Sequence, residues 1–138
     1  MIERRVSVFF YGSFINLDVL KQAGLEPDGF RVARLHAWDI HIGPLATLIP
    51  KDNAVVYGIV VACTHAELER LYAQDWVGAY LPEAVLVEVE ATFLPTLTYV
   101  KWELETSPPT PEYVERIAGP GEKIGFPKWY IEHIRSFI

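Results

Sequence analysis

The chain has 138 residues, of which 51% are hydrophobic, and a formal net charge of −6. This length suits one hydrophobic core, so we expect a single domain over residues 1–138. The acidic balance argues against nucleic acid and against anionic membrane surfaces as partners, because both attract basic faces. Only 12 lysines and arginines are available to form such a face, so neither class of partner is expected.

Cysteine usage points to a reducing compartment. The single cysteine, Cys63, cannot form an internal disulfide. It lies in an apolar run without an adjacent basic residue, which favours a buried structural thiol over a nucleophile. The sequence shows neither a signal peptide nor a membrane span, so we expect a cytoplasmic location.

The N-terminal region predicts a strand followed by a helix. Residues 6–11 are mostly apolar and aromatic, which is typical of a buried strand that ends at the Gly12 turn. Residues 15–24 fit one short helix with Gly24 as its stop signal.

The next region predicts strands separated by a turn. Residues 30–42 alternate between apolar and polar types, as a half-buried strand does. Residues 46–50 indicate a short strand that ends at a turn over 51–53. The apolar residues 54–62 then predict a strand covered on both faces.

The middle of the chain predicts one helix and two further strands. Thr64 and Glu67 form a capping box, which indicates a helix over residues 64–76. The alternation of residues 83–93 predicts a strand, and residues 97–104 predict another.

The C-terminal region predicts two helices and completes the fold class. A proline-rich entry leads into a helix that stops at Gly119, and Pro127 opens a final amphipathic helix. One face of that helix carries Tyr130, Ile134 and Phe137. Strands dominate the middle and short helices surround them, so we predict an α+β fold with a mostly antiparallel, strongly curved sheet or barrel.

Asp75 is a candidate proton carrier. Leu68, Leu71 and Tyr72 form an apolar stripe, and Asp75 occupies the next position of that stripe, near the end of the helix. Burial and the helix dipole would both raise the pKa of a carboxyl group there. In the alternative interpretation the helix has already ended, and Asp75 only caps a turn with Trp76.

The Tyr11-Gly12-Ser13 loop is a candidate anion site. Glycine permits positive φ and lets backbone N–H groups approach a ligand closely. Successive N–H groups in such a loop bind a carboxylate well. A plain turn between strand and helix explains the same residues, and the sequence leaves both interpretations open.

No metal site is predicted. The four histidines have spacings that do not match a ligand set, and no cysteine pair accompanies them. They are His36, His41, His65 and His133.

Four stretches, in order along the chain, carry a resemblance to a known family. They are "FFYGSFIN", "ARLHAWDIHI" followed by "LATLIP", "AVVYGIVVACTHAELERLYAQDWVGAY", and "PTPEYVERIAGPGEKIGFPKWYIEHI". Together they resemble the γ-glutamylcyclotransferase-like proteins, in which a Tyr-Gly-Ser loop follows the first strand and an acidic residue follows a Leu-x-x-Leu helix. The resemblance implies a small mixed, mostly antiparallel β-barrel flanked by short helices.

The resemblance also implies an activity that needs no metal or organic cofactor. The α-amine of a small γ-glutamyl substrate attacks its own γ-carbonyl, which releases 5-oxoproline and a free amine or amino acid. By position, the substrate loop would consist of Tyr11, Gly12, Ser13 and Phe14. Tyr80 would match an aromatic residue of the same site.

Three departures from the family pattern fall at the site. Asp75 stands where the family has glutamate, Trp76 replaces the usual glycine, and Phe14 replaces the common asparagine. The shorter Asp75 side chain would withdraw the carboxyl group by roughly 1.5 Å, unless the backbone shifts or Glu83 or Glu88 takes its place.

Two functions therefore stay open at this point. One is a cyclotransferase acting on a γ-glutamyl amine or peptide. The other is a catalytically inactive binding module on the same fold that holds a carboxylate-bearing ligand. Self-association into a homodimer, through the aromatic C-terminal segment, is compatible with either function, and the alternative is that Trp129, Tyr130 and Phe137 of that segment belong to the core.

Overall fold

A computed structural model describes residues 4–73 and 80–138. Its five strands are β1 Arg5–Phe10, β2 Arg31–Ile42, β3 Ala46–Thr64, β4 Leu81–Val89 and β5 Thr92–Val100. Its helices are α1 Leu17–Gln22, α2 His65–Tyr72, α3 Pro111–Ile124 and α4 Lys128–Arg135, and a 3₁₀ turn covers Ser13–Ile15. Within these two ranges, none of the helices combines the length and the apolar character needed to cross a membrane.

The five strands form one strongly curved, mostly antiparallel sheet in the order β1-β3-β2-β4-β5. Its two edges meet at a single parallel pair, Val8 with Leu97. The sheet therefore closes at one point rather than along a full ladder of hydrogen bonds. This arrangement confirms the predicted α+β class, with a curled sheet in place of a strict barrel.

The predicted turn at residues 51–53 is wrong. β3 runs through this region, and the register changes from His36 opposite Val55 to Trp38 opposite Pro50. Residues 51–54 thus stand opposite Ala37 alone, in a large bulge. The turn-forming residues are accommodated inside one long bent strand.

The predicted boundaries of the last two strands are also wrong. The first strand ends at Val89 and the second begins at Thr92, so a two-residue turn joins them. Glu90 and Ala91 occupy that turn with φ of 47° and 65°, which corresponds to the tight hairpin geometry usually formed by asparagine and glycine. Neither residue signals a turn, which is why the sequence pattern placed the break elsewhere.

The predicted stop of the penultimate helix at Gly119 is wrong as well. α3 continues through Pro120 and ends at Ile124, and Gly125 caps it in the left-handed conformation with a φ of 104°. A Cβ on Gly121 would lie 2.9 Å from Cδ1 of Ile131, so the bare glycine allows α3 to pack closely against α4.

The capping box and the final helix are confirmed. The N–H of Thr64 donates to Glu67 (2.8 Å), and the N–H of Glu67 donates back to the Thr64 hydroxyl (3.1 Å). On α4, Tyr130 and Ile134 are buried in the core, whereas Trp129 is 54% exposed.

Candidate functional site

A small cavity opens where β1 ends, between the curled sheet and helices α2 and α3. Five of the seven tyrosines of the chain line it. The lining residues are Phe9, Phe10, Tyr11, Gly12, Ser13, Phe14, Leu45, Ala46, Tyr72, Tyr80, Tyr99 and Tyr113. Its walls are mostly apolar, as those of small-ligand sites are.

The loop after β1 forms one wall of this cavity. Gly12 has φ of −103°, so the expected positive φ is not observed. A Cβ on Gly12 would come within 3.6 Å of the Ala46 Cβ, on the lining of the cavity. The glycine therefore keeps the space between these two backbone segments open.

The loop also presents free backbone donors. The carbonyls of Gly12 and Ser13 accept from the N–H groups of Ile15 (3.2 Å) and Asn16 (3.5 Å). Within residues 4–73 and 80–138, the N–H groups of Gly12 and Ser13 donate to no protein acceptor. Two backbone donors are thus available to a ligand in the cavity.

Hydrogen bonds to the main chain hold three of the tyrosines in place. Tyr11 donates to the carbonyl of Tyr99 (2.6 Å), and Tyr80 donates to the carbonyl of Ala46. The N–H of Ala46 donates to the hydroxyl of Tyr113 at 2.9 Å. These bonds tie the loop after β1, the residue before β4, the start of β3, the end of β5 and α3 together around the cavity.

Ring contacts connect the loop to α2. Tyr72 stacks on Tyr99 with a centroid distance of 3.8 Å and an interplanar angle of 14°. Phe14 meets Tyr72 edge to face at 5.9 Å, and it meets Phe10 in the same way at 5.9 Å. The aromatic side chains therefore form a connected wall rather than separate contacts.

The described residues that line the cavity carry no charge at neutral pH. Burial raises the pKa of Tyr11 and Tyr72 well above the ordinary value, and neighbouring tyrosines raise both further. Burial likewise raises the pKa of Tyr80, Tyr99 and Tyr113. All five stay protonated at neutral pH, and no aspartate, glutamate or histidine is among the described residues that line the cavity.

Five of the residues predicted from the sequence meet in this cavity. Tyr11, Gly12, Ser13 and Phe14 form the loop wall, and Tyr80 lies on the cavity lining as well. The remaining predicted residue, Asp75, lies outside the described residues, as does Trp76. The described residues Tyr72 and Tyr80, which precede and follow that segment in the sequence, both line the cavity.

The two substitute acids do not line the cavity. Glu88 accepts a hydrogen bond from Arg34 (2.6 Å) and lies 2.7 Å from Nε2 of His36. The hydrogen bond with His36 is the main cause that holds the pKa of Glu88 below its ordinary value. Glu83 is half-buried on β4, opposite Thr98, and is likewise not part of the lining.

Sequence reasoning missed most of the tyrosine wall. The sequence pattern predicts an apolar helix face for Tyr72, and it distinguishes neither Tyr99 nor Tyr113. The one available signal was the number of tyrosines, but their positions are far apart in the chain. Only the parallel contact of β1 with β5 and the packing of α3 bring them together.

Comparisons with known proteins identify the fold. No protein-family profile matches the sequence, and no curated protein matches it either. A solved structure of a γ-glutamyl cyclotransferase superposes with a TM-score of 0.84 at 23% identity, over 96% of this chain and 88% of that one. An uncharacterized protein from Homo sapiens superposes with a TM-score of 0.82 at 24% identity, over 97% of this chain and 88% of that one.

YkqA from Bacillus subtilis gives a TM-score of 0.77 at 20% identity, over 96% of this chain but 53% of its own. The chain thus has the fold of γ-glutamyl cyclotransferase, which confirms the fold expected from the sequence motifs. Identities this low establish the fold alone, because one fold supports many activities.

Proposed function

We propose that the protein is a cyclotransferase that converts a γ-glutamyl amine or peptide into 5-oxoproline and a free amine. One observation carries this proposal. The predicted substrate loop, Tyr11 to Phe14, and the predicted Tyr80 line a single cavity in a chain that has the fold of a γ-glutamyl cyclotransferase.

The proposed reaction is an internal transfer within the substrate. The α-amine nitrogen forms a bond to the γ-carbonyl carbon, and the amide bond to the leaving amine breaks. One proton leaves the attacking nitrogen and one reaches the departing nitrogen, so neither water nor an oxidant is consumed. Because both reacting groups belong to one molecule, the protein has only to hold the chain in its folded shape and move a proton.

The loop amides supply the electrostatic part of this proposal. The free N–H groups of Gly12 and Ser13 would donate to oxygens of the γ-glutamyl group, including the carbonyl oxygen that gains charge during attack. The neutral tyrosine walls strengthen such hydrogen bonds, since they keep the local dielectric constant low.

The proton carrier in this proposal is Asp75. The tyrosines of the cavity cannot serve as bases near neutral pH, because burial raises the pKa of each of them. An acid from a neighbouring segment is therefore needed, and in the sequence Asp75 stands between Tyr72 and Tyr80.

The test is release of 5-oxoproline from a panel of γ-glutamyl amines and peptides. We expect turnover by the wild type and a loss of about 100-fold or more in Asp75→Asn, which is the usual effect of removing a general acid or base. Asp75→Glu should retain activity, and Glu83→Gln is the matched control that should leave it unchanged. Equal activity of wild type and Asp75→Asn would show that Asp75 is not the proton carrier. Absence of turnover by the wild type would refute the proposed cyclotransferase activity.

A binding module is the second candidate, and Phe14 favours it. This residue stands where the family resemblance implies asparagine, and its ring packs against Phe10 and Tyr72 in the cavity wall. An apolar ring in that position reduces the polar contacts that a reacting substrate would receive. A rise in melting temperature with 5-oxoproline or glutamate, together with no product from any γ-glutamyl compound, would support binding without turnover.

A further inference from the structure

A second groove adjoins the cavity at Ser13, which lines both. One side of the groove is the segment from Ser13 to Gln22, and the other is the exposed side of α3. A molecule held in the cavity could therefore extend past Ser13 into the groove.

Helix α3 connects the two sites along one of its faces. Tyr113 lines the cavity, whereas Arg116, Pro120 and Lys123 line the groove. With a rise of 1.5 Å per residue, Arg116 lies about 4.5 Å along the axis from Tyr113, and Lys123 lies about 15 Å from it. Arg116 is thus close enough to the cavity to contact the part of a bound molecule that extends from the cavity into the groove.

Two glutamates of α3 pair with α4, whereas two basic residues of α3 line the groove. Glu115 pairs with Arg135 of α4 at 2.8 Å, and Glu122 pairs with the same guanidinium. Arg116 and Lys123, each one position further along, make no hydrogen bond or ion pair with any residue that the structure describes. Glu115 and Glu122 are thus engaged with α4, whereas Arg116 and Lys123 are left open to the groove.

The groove carries a positive charge in an acidic protein. Arg116 and Lys123 contribute two positive charges, and Asp18 on the opposite wall contributes one negative charge, which leaves +1 among the described lining residues. The whole chain has a net charge of −6. Asn16 and Gln22 add polar side chains to the same wall as Asp18. Such a surface attracts an anionic group and disfavours a cationic one.

We propose that this groove binds the leaving portion of the substrate and selects γ-glutamyl compounds whose leaving amine carries a carboxylate. Arg116 contacts a carboxylate close to the scissile bond, and Lys123 contacts one further away. Both are specificity-determining residues that do not take part in the chemical step. This inference rests on the proposed function, because it assigns the second half of the same substrate.

The test compares two compounds of nearly equal shape, γ-glutamylglycine and γ-glutamylglycinamide, which differ in one carboxylate. We expect the wild type to prefer the carboxylate in kcat/KM, and Arg116→Gln to reduce that preference about 5- to 10-fold. Arg116→Lys should retain part of the preference, and added salt should weaken it. Lys128→Gln, which makes the same change in net charge on α4 outside the groove, is the matched control.

The outcomes separate this inference from the proposed function. If wild type and Arg116→Gln turn over both compounds with the same ratio of kcat/KM, the groove assignment is wrong, but the proposed cyclotransferase activity is still supported. Failure of the wild type to turn over these two compounds and every other member of the γ-glutamyl panel would refute both the groove assignment and the proposed function. An unchanged melting temperature of Arg116→Gln would show that a lost preference does not come from a damaged fold.

Discussion

The cavity and the groove meet at Ser13 and share α3, yet they are built from opposite kinds of side chain. The cavity is lined by neutral phenols and apolar rings, and three of its tyrosines are hydrogen-bonded to the main chain. The groove is open, and its basic side chains Arg116 and Lys123 pair with no residue that the structure describes. The difference suggests a division of roles in which the cavity positions the reacting group and the groove chooses among substrates. Substitutions in the cavity should therefore affect stability, whereas those in the groove should affect selectivity.

The largest effect is expected at Gly58, directly behind the cavity. A Cβ there would lie 2.2 Å from the carbonyl oxygen of Phe10 and 2.7 Å from the ring of Phe9. Because a backbone oxygen cannot move aside cheaply, Gly58→Ala should lower the free energy of unfolding by about 3 kcal/mol or more, measured by urea denaturation.

Gly119, on the groove, is the matched control for that substitution. No atom lies within 4 Å of an added Cβ there. The gain in helix propensity is opposed by the crowding that Pro120 imposes on the residue before it, so the change should stay below about 1 kcal/mol. Similar losses for both glycine variants would contradict the contrast between a tight cavity and an open groove.

Removal of one cavity hydroxyl should have the next largest effect. Tyr11→Phe deletes the donor to the Tyr99 carbonyl, which lies 2.6 Å from the Tyr11 oxygen. A buried carbonyl left unpaired costs about 1–3 kcal/mol, which thermal or chemical denaturation would detect. Arg116→Gln in the groove should change stability by no more than about 0.5 kcal/mol. If the two variants were equally stable, the tyrosine hydrogen bonds would not fix the cavity wall.

Two buried threonines of β5 offer a smaller and more selective comparison. The hydroxyl of Thr98 donates to the carbonyl of Phe9 at 3.0 Å, whereas the buried hydroxyl of Thr96 has no partner among the described residues. Thr98→Val should cost about 1 kcal/mol, and Thr96→Val should be neutral or stabilising by up to about 1 kcal/mol. Chemical denaturation of both variants measures this, and the opposite order would show that the Thr96 hydroxyl has a partner in solution.

The smallest expected effect concerns the pH dependence of stability and involves the buried carboxylate of Glu67. Burial alone would raise the pKa of Glu67, but hydrogen bonds from the N–H groups of Thr64 and Glu26 outweigh it and hold the pKa below the ordinary value. Because the pKa of Glu67 is lower in the folded state, its ionised carboxylate stabilises the protein at pH values above the ordinary pKa of glutamate. This contribution is lost as the pH falls through the pKa of the folded state. The stability advantage of wild type over Glu67→Gln should therefore shrink between about pH 6 and pH 3. An advantage that grows on acidification would contradict this assignment.

Local patterns were enough to predict the elements that depend on local chemistry. The capping box at Thr64 and Glu67 and the buried face of the last helix follow directly from residue spacing. The Tyr-Gly-Ser loop lines the cavity, and both the motif and its place after a strand can be read from the sequence.

Features that depend on distant parts of the chain could not be predicted. The bulge that absorbs residues 51–54 exists because β2 pairs on both sides of it. The continuation of α3 beyond Gly119 depends on the close packing of Gly121 against Ile131. Tyr72, Tyr99 and Tyr113 become one wall only when the sheet curls and α3 covers its open end.

The most direct test of the central claim is the position of the product in a crystal structure obtained at saturating 5-oxoproline. We expect the five-membered ring in the tyrosine-lined cavity, with an oxygen accepting hydrogen bonds from the N–H groups of Gly12 and Ser13. A product molecule bound elsewhere, with this cavity left unchanged, would contradict the assignment of the site.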